Sequence, residues 1–165
     1  MVQTDGVPDP NPSEAVPPPR PAAQRKSDAL ELLRSQTTAW LATSTRGGGP
    51  HLVPLLFHFN GDVLTFATFL NSPTVANAAA DGRARVAIGH PYDLVMIDGS
   101  ITVVDPHRMD PIIAEAHASL LRGGPDPRQV PGLVYLQLTP ARLQAWRSFA
   151  ELGGRTLMSS GRWLV

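Results

Sequence analysis

The sequence has no cysteine, which excludes disulfides, thiol nucleophiles and cysteine-ligated metals. Lysine is nearly missing: Lys26 stands alone beside 13 arginines. The folded core therefore offers no lysine for a Schiff base, and any anion must be held by arginine, hydroxyls or backbone N–H groups. Net charge is also absent, with 14 basic and 14 acidic residues, so nothing global argues for nucleic acid or an anionic membrane as partner. No apolar run approaches the ~20 residues of a membrane span. The first residues lack the basic start and apolar core of a signal peptide, so a cytoplasmic location is expected.

Several chemical signatures are missing as well. There is no G-x-S-x-G elbow of a serine hydrolase. The glycines 47–49 lead into a strand pattern, unlike a phosphate-binding loop or a dinucleotide fingerprint, which opens a helix. The five histidines make no ligand set. His51 and His58 are seven apart in one strand pattern and face opposite ways, and His107 and His117 are ten apart on a predicted helix, almost three turns from each other along its axis. No metal is expected.

What is present suits one domain of 165 residues behind a tail. Residues 1–24 hold seven prolines and few apolar side chains, the composition of a solvated or polyproline-like segment, which leaves a proline-motif ligand role as the other reading. The domain proper is placed at 25–165. Ser27 to Gln36 reads as a helix capped by Ser27, with Ala29, Leu30, Leu32 and Leu33 as its apolar face. Strands are predicted at 38–45, 51–59 and 62–69, the last two joined at Asn60-Gly61, a strong hairpin signal. Ser72-Pro73 opens a helix that ends at Asp81-Gly82. Strands follow at 83–89 and 94–104, the second interrupted at Asp98-Gly99 by a bulge or turn.

A helix over 107–121 is predicted to turn Ile112, Ile113, Ala116, Leu120 and Leu121 inward, and Gly123, Gly124, Pro125 and Pro127 mark a loop after it. A strand over 133–138, a turn at Thr139-Pro140 and a last strand over 142–146 complete the pattern, with an apolar C-terminal stretch that docks. Hairpin-linked strands with a few helices point to an antiparallel barrel, mainly β with helical additions.

Two places in the stretch 39–77 invite a ligand. Pro54 lies in a strand that is apolar on both alternating faces and so reads as buried on both sides, yet proline cannot donate to a sheet ladder. Its neighbours' backbone groups then face a flat heteroaromatic ring, or else the position is a bulge or a sheet edge. At Ser72 the free N–H groups of a helix start, with the hydroxyls of Ser72 and Thr74, make either an anion cradle or an ordinary helix cap. Trp146 beside Arg147 and Trp163 beside Arg162 serve as stacking platforms or as core and interface residues.

The run W-L-A-T-S-T-R-G-G-G-P-H-L-V-P-L-L-F-H-F-N-G-D-V-L-T-F-A-T, followed by S-P-T-V-A-N and R-A-R-V-A-I, resembles the pyridoxamine 5′-phosphate oxidase-like superfamily, and within it the flavin/deazaflavin oxidoreductases of actinobacterial type. The resemblance runs from Ala39 to Val104 and returns in R-L-Q-A-W-R-S-F-A-E-L-G-G-R-T-L-M. It implies an FMN-binding-type split β-barrel, an antiparallel Greek-key barrel of α+β type, that forms a homodimer with a cofactor in each interface cleft. The cofactor implied is the deazaflavin coenzyme F-420 or FMN.

By the same resemblance His51, Leu52, Val53 and Pro54 lie against the ring. Ala67, Thr68 and the helix start from Ser72 through Thr74 to Asn77 hold the ribityl-phosphate side, and Trp146 and Arg155 reach the pocket from the C-terminal part. Thr74 departs from the pattern, because the family often carries lysine or arginine there, and Arg83, Arg85 or a partner's arginine is the expected compensation. The basic residues that hold a vitamin B6 phosphate in the oxidase branch are not matched.

The reading is an oxidoreductase moving a hydride between F-420 or FMN and a small organic substrate, with no catalytic acid or base assigned. The alternative is a non-catalytic cofactor- or ligand-binding split barrel.

Overall fold

A computed structural model describes residues 18–121 and 126–165. Its centre is one antiparallel sheet that closes on itself. Strands β1 (Thr38–Ser44), β2 (Pro50–Phe59), β3 (Leu64–Phe69), β4 (Arg83–His90), β5 (Asp93–Val104) and β6 (Leu133–Trp146) follow one another in the order β3-β2-β1-β4-β5-β6, and β3 pairs with β6 to complete the barrel. Three strands run as a meander and the fourth returns beside the first, which is the Greek-key arrangement. The short strands β7 (Thr156–Ser159) and β8 (Arg162–Trp163) extend the sheet beyond β6 and dock the C-terminus.

Alternation fills the barrel. Leu41, Phe57, Leu64, Phe66, Val86, Ile97, Leu136 and Leu143 point inward and are essentially inaccessible to solvent. Helix α1 (Ala22–Ser35) plugs the barrel with Ala29 and Leu33, and helix α2 (Pro73–Asp81) packs Val75 and Ala78 into the same core. Helix α3 (Pro111–Ser119) lies outside the barrel, over β2 and β3, where Ala114 meets Tyr135 and Met109. No helix among the described residues is long and apolar enough to cross a membrane.

Several local expectations are redrawn. Helix α1 begins at Ala22, five residues before Ser27, inside the stretch assigned to the tail; its start is set by Pro21, with no side-chain cap. Arg20 fixes that start by binding Glu151 through its backbone N–H at 3.0 Å and its guanidinium at 2.7 and 2.8 Å. Residues 1–17 of the proline-rich stretch, and Gly123, Gly124 and Pro125 of the expected loop, lie outside the described residues.

The helix expected over 107–121 is divided into a single 3-10 turn at Pro106–Arg108 and the shorter α3. Pro111 forces this break, since the residue before a proline is pushed out of helical conformation, and Asp110 then caps α3 from an extended backbone. The restart also turns the helix. Ala114 and His117 face inward, while Ile112 is 79% exposed.

The turn expected at Thr139-Pro140 does not form. Instead β6 runs on as one strand with a bulge: Asp98 pairs with Arg142 and Gly99 with Pro140, leaving Ala141 as the extra residue. The irregularity expected at Asp98-Gly99 is therefore the partner side of that bulge. Gly99 is required there, because a Cβ would sit 2.2 Å from the Thr139 carbonyl oxygen.

Candidate functional site

Strand β2 is the element on which the site depends. Its pairing with β1 covers Pro50 to Leu56, whereas its pairing with β3 covers only Phe57 to Phe59. Along residues 50–56, one edge of β2 therefore has no strand beside it among the described residues. That is how Pro54 is accommodated: a proline is compatible with an open edge, where no neighbouring strand asks for its missing N–H. From Pro50 to Pro54 the edge leaves main-chain groups available to a ligand, while at Leu56 the backbone meets His117 of α3.

The two faces of β2 do different things. His51 and Val53 turn toward the barrel interior, while Leu52 and Pro54 turn outward and are exposed. The expectation that β2 is buried on both sides fails on this outer face. Leu52 is 58% exposed, and Trp40, the cross-strand partner of Pro54 on β1, is 50% exposed. Ala87 on β4 and Met96 on β5 continue the row, since Trp40 pairs with Ala87 and Ala87 with Met96. A tryptophan between inward-facing Ala39 and Leu41 is the period-2 signal that could have identified Trp40 as a surface residue from sequence.

The helix start at Ser72 is organised inward. The Ser72 hydroxyl accepts from Val75 N at 3.3 Å and so works as a helix cap. Thr74, 3% exposed, shares a 3.0 Å hydrogen bond between its Oγ1 and His51 Nε2. Asn77 donates from Nδ2 to Thr43 Oγ1 at 3.1 Å, and Thr43 is the cross-strand partner of His51. His51, Thr74 and Asn77 are thus brought together, with Thr43 added, as a buried polar cluster that joins α2 to β1 and β2.

Ala67 and Thr68 are separate from this cluster. They pair with Tyr135 and Val134 of β6, and Ala67 packs under α3 beside Met109 and Ala114. In the same place His117 is 1% exposed and Tyr135 is fully buried, their rings edge-to-face at 5.5 Å. Among the described residues, neither ring nitrogen of His117 nor the Tyr135 hydroxyl has a hydrogen-bond partner. Burial pushes the His117 imidazole below its ordinary range, with the charge of nearby His58 acting in the same direction, and burial raises the Tyr135 phenol. These residues carried no signal in the sequence beyond helix periodicity.

Trp146 and Arg155 do meet, with the guanidinium 5.8 Å from the indole ring centre, on the outer face of β6 and the segment entering β7. Gln144 lies two residues before Trp146. With its amide oxygen turned toward the arginines, it accepts from Arg155 Nε and Arg142 Nη2 at 3.0 Å each, and from Thr156 Oγ1 at 3.3 Å. The opposite orientation would set its NH2 against two guanidinium donors. A cleft of about 600 Å3 opens beside this group at the bulge, lined by Ala42, Ser44, Arg83, Arg85, Asp98 and Ala141. Its arginines are engaged: Arg83 with Asp81, and Arg85 with Asp98 through two hydrogen bonds. No group of three or more potential metal-binding side chains occurs among the described residues.

The expected site residues thus fall into separate groups on the chain. Between Leu52 and Pro54 on β2 and Trp146 on β6 lie β1, β4 and β5, a span of about 19 Å at the usual ~4.8 Å strand spacing. The other way round the barrel, through β3, is covered by α3. It also meets β6 at Leu133 to Leu138, at the far end of the strand from Trp146.

Comparison with known proteins gives this architecture a family. Comparison with curated proteins finds no match. Among solved structures, an F-420 reductase superposes with a TM-score of 0.58 at 20% identity, covering 68% of this chain and 93% of that one. A pyridoxamine 5′-phosphate oxidase-related, FMN-binding protein from Nostoc punctiforme gives 0.53 at 18% identity, covering 76% and 83%. A heme-binding protein from Mycobacterium smegmatis gives 0.63 at 20% identity, covering 86% and 59%. At such identities these structures share the fold, the split barrel. The family model described as pyridoxamine 5′-phosphate oxidase matches residues 26–147, most of the chain from α1 to the end of β6, and the protein belongs to that family.

Proposed function

We propose that this protein is an oxidoreductase that binds a flavin-type cofactor, coenzyme F-420 or FMN, in a cleft between two copies of the chain. The observation that carries the reading is the open edge of β2 at residues 50–56, beside an exposed apolar face of Trp40, Leu52 and Pro54. A flat heteroaromatic ring suits that place. Its faces match the apolar side chains, and its polar rim matches the unpaired main-chain groups. The F-420 reductase and the FMN-binding protein among the structural relatives support the cofactor class.

Two copies account for the distribution of site residues. A two-fold axis sets one patch against itself, so β2 of one protomer can face β6 of the other and bring Leu52 and Pro54 opposite Trp146 and Arg155. The same contact covers Trp40 and Leu52, which are costly to leave in water.

In this reading the cofactor supplies hydride chemistry when bound, and the chain's residues bind, orient and shield it. Leu52 and Pro54 shield the ring, and the edge of β2 fixes its rotation in plane. His51 is held by Thr74, which keeps the β2 backbone at a fixed distance from α2. No side chain on this face is assigned as a general acid or base.

The alternative is a split-barrel protein without redox activity, favoured by one observation: Thr74, where a basic residue would hold a phosphate, is buried and neutral in its surroundings. Titration of the purified protein with F-420, FMN and haem, followed by fluorescence or absorbance, tests the cofactor on which the oxidoreductase reading depends. Micromolar binding of F-420 or FMN supports the oxidoreductase; binding of neither overturns it.

A further inference from the structure

The start of α2 has little left with which to hold an anion. Ser72 Oγ is used in the cap, Thr74 and Asn77 are turned inward and bonded to His51 and Thr43, and Pro73 brings no N–H. There is no basic side chain in the helix at all, since its sequence is P-T-V-A-N-A-A-A-D. Among the described arginines that make no ion pair, two converge on the outer face of β6 and the segment entering β7.

Among the described residues neither Arg142 nor Arg155 makes an ion pair. The nearest acid in register is Asp98, the cross-strand partner of Arg142, and its carboxylate is taken by Arg85. Two guanidinium groups are instead drawn to one neutral acceptor, the amide oxygen of Gln144, which is 8% exposed. Holding two like charges close together on a neutral atom costs electrostatic energy unless an anion joins them. The arrangement is also prearranged. The amide oxygen of Gln144, bonded also to the Thr156 hydroxyl, accepts from Nε of Arg155, Leu152 O accepts from its Nη1 at 3.4 Å, and Trp146 lies over its face, while among the described residues the other N–H groups of both arginines have no acceptor. Paired guanidinium forks match the geometry of a phosphate or carboxylate.

We propose that Arg142 and Arg155, positioned by Gln144, form an oxyanion-binding site that takes the phosphate group of the bound ligand in place of the start of α2. The identity of the ligand rests on the cofactor reading above; the anion site itself does not. It also resolves the missing charge at Thr74, because the charge is supplied from β6 and the segment entering β7.

The test compares FMN with riboflavin, which differ by the phosphate alone, by fluorescence titration of the full-length protein. Wild type is expected to bind FMN at least tenfold more tightly. In R142Q and in R155Q that preference falls several-fold, and in the double variant it disappears. Thr74→Val tests the competing site. A preference lost in T74V but kept in R142Q/R155Q overturns the proposal, as does equal affinity of wild type for the two flavins.

Should neither flavin bind, inorganic pyrophosphate is the probe, at constant ionic strength. Protection of wild type against thermal unfolding that is absent in R142Q/R155Q sustains the anion site without the cofactor. No protection of wild type overturns it. Circular dichroism of each variant establishes that the barrel is folded.

Discussion

Glu151 and Arg20 are joined across 131 residues by three hydrogen bonds, two from the guanidinium and one from the Arg20 backbone N–H. Glu151 is 3% exposed and also accepts from Arg147 N at 2.7 Å. Arg20 in turn reaches Asp28 on α1 at 2.6 Å. One buried carboxylate thus ties the entry into α1 to the segment between β6 and β7. Breaking a buried pair by removing one partner costs about 3–5 kcal/mol, so Glu151→Ala should destabilise the barrel by that order in urea unfolding. A change below about 1 kcal/mol would show that the pair is solvated.

The same carboxylate predicts an acid limb in stability. The Arg20 hydrogen bonds hold the Glu151 carboxyl down to about 2, against a burial effect of opposite sign. A depressed folded value means that this stabilisation is present above the unfolded carboxyl's ordinary range and is lost as pH falls through about 2. In E151Q that limb should be shallower, as read from urea midpoints at successive pH values.

His117 predicts a second limb at higher pH. Its imidazole is depressed by burial, and the Leu56 backbone approaches without hydrogen-bond geometry. The neutral ring is the folded form, so stability is full above the ordinary histidine range and falls as pH drops below about 6.5, where the unfolded chain takes up the proton first. His58, also depressed by burial, adds to this limb. H117L should flatten the change between neutral pH and the carboxylate limb; an unchanged profile would contradict it.

Gly99→Ala probes the bulge. The added Cβ meets backbone, the Thr139 carbonyl oxygen at 2.2 Å, so relief requires β5 and β6 to move apart. Overpacking of this kind costs about 1–3 kcal/mol, measurable as a lowered urea midpoint. Gly61, where a Cβ would meet open space, is the contrasting hairpin position, strained only by its positive φ.

Much of this fold is legible in the sequence, and the exceptions have local causes. Alternation locates β1, β2 and β4 nearly to the residue, and Asn60-Gly61 and Ser72-Pro73 mark their turn and helix start. Helix α3 is misjudged because Pro111 restarts it, which rotates Ile112 outward and His117 inward. Thr139-Pro140 looks like a turn, yet a bulge absorbs it once Gly99 lets the partner strand approach. At the candidate site, the oddity of Pro54 is a sheet edge, a feature that turn chemistry and propensity signal. Arg142 and Gln144 carry no such signal, because their convergence with Arg155 depends on β7 folding back beside β6.

The outer face gives a prediction for assembly. Trp40 is half exposed and its neighbours there are Pro54 and Ala87, so Trp40→Glu should leave the barrel folded and convert a dimer into a monomer. Light scattering after size-exclusion chromatography reads this directly. A wild-type monomer at micromolar concentration would remove the two-protomer cleft from the account.

Cofactor binding at the β2 edge is the central claim, and Pro54→Trp tests it most directly. The indole would fill the space in front of the edge without entering the core, since Pro54 faces outward. Titration of wild type and P54W with F-420 and FMN is predicted to show micromolar binding of one of them to wild type and at least a tenfold loss in a folded P54W. Equal affinity in the two proteins would place the cofactor elsewhere, and no binding to wild type would contradict the claim altogether.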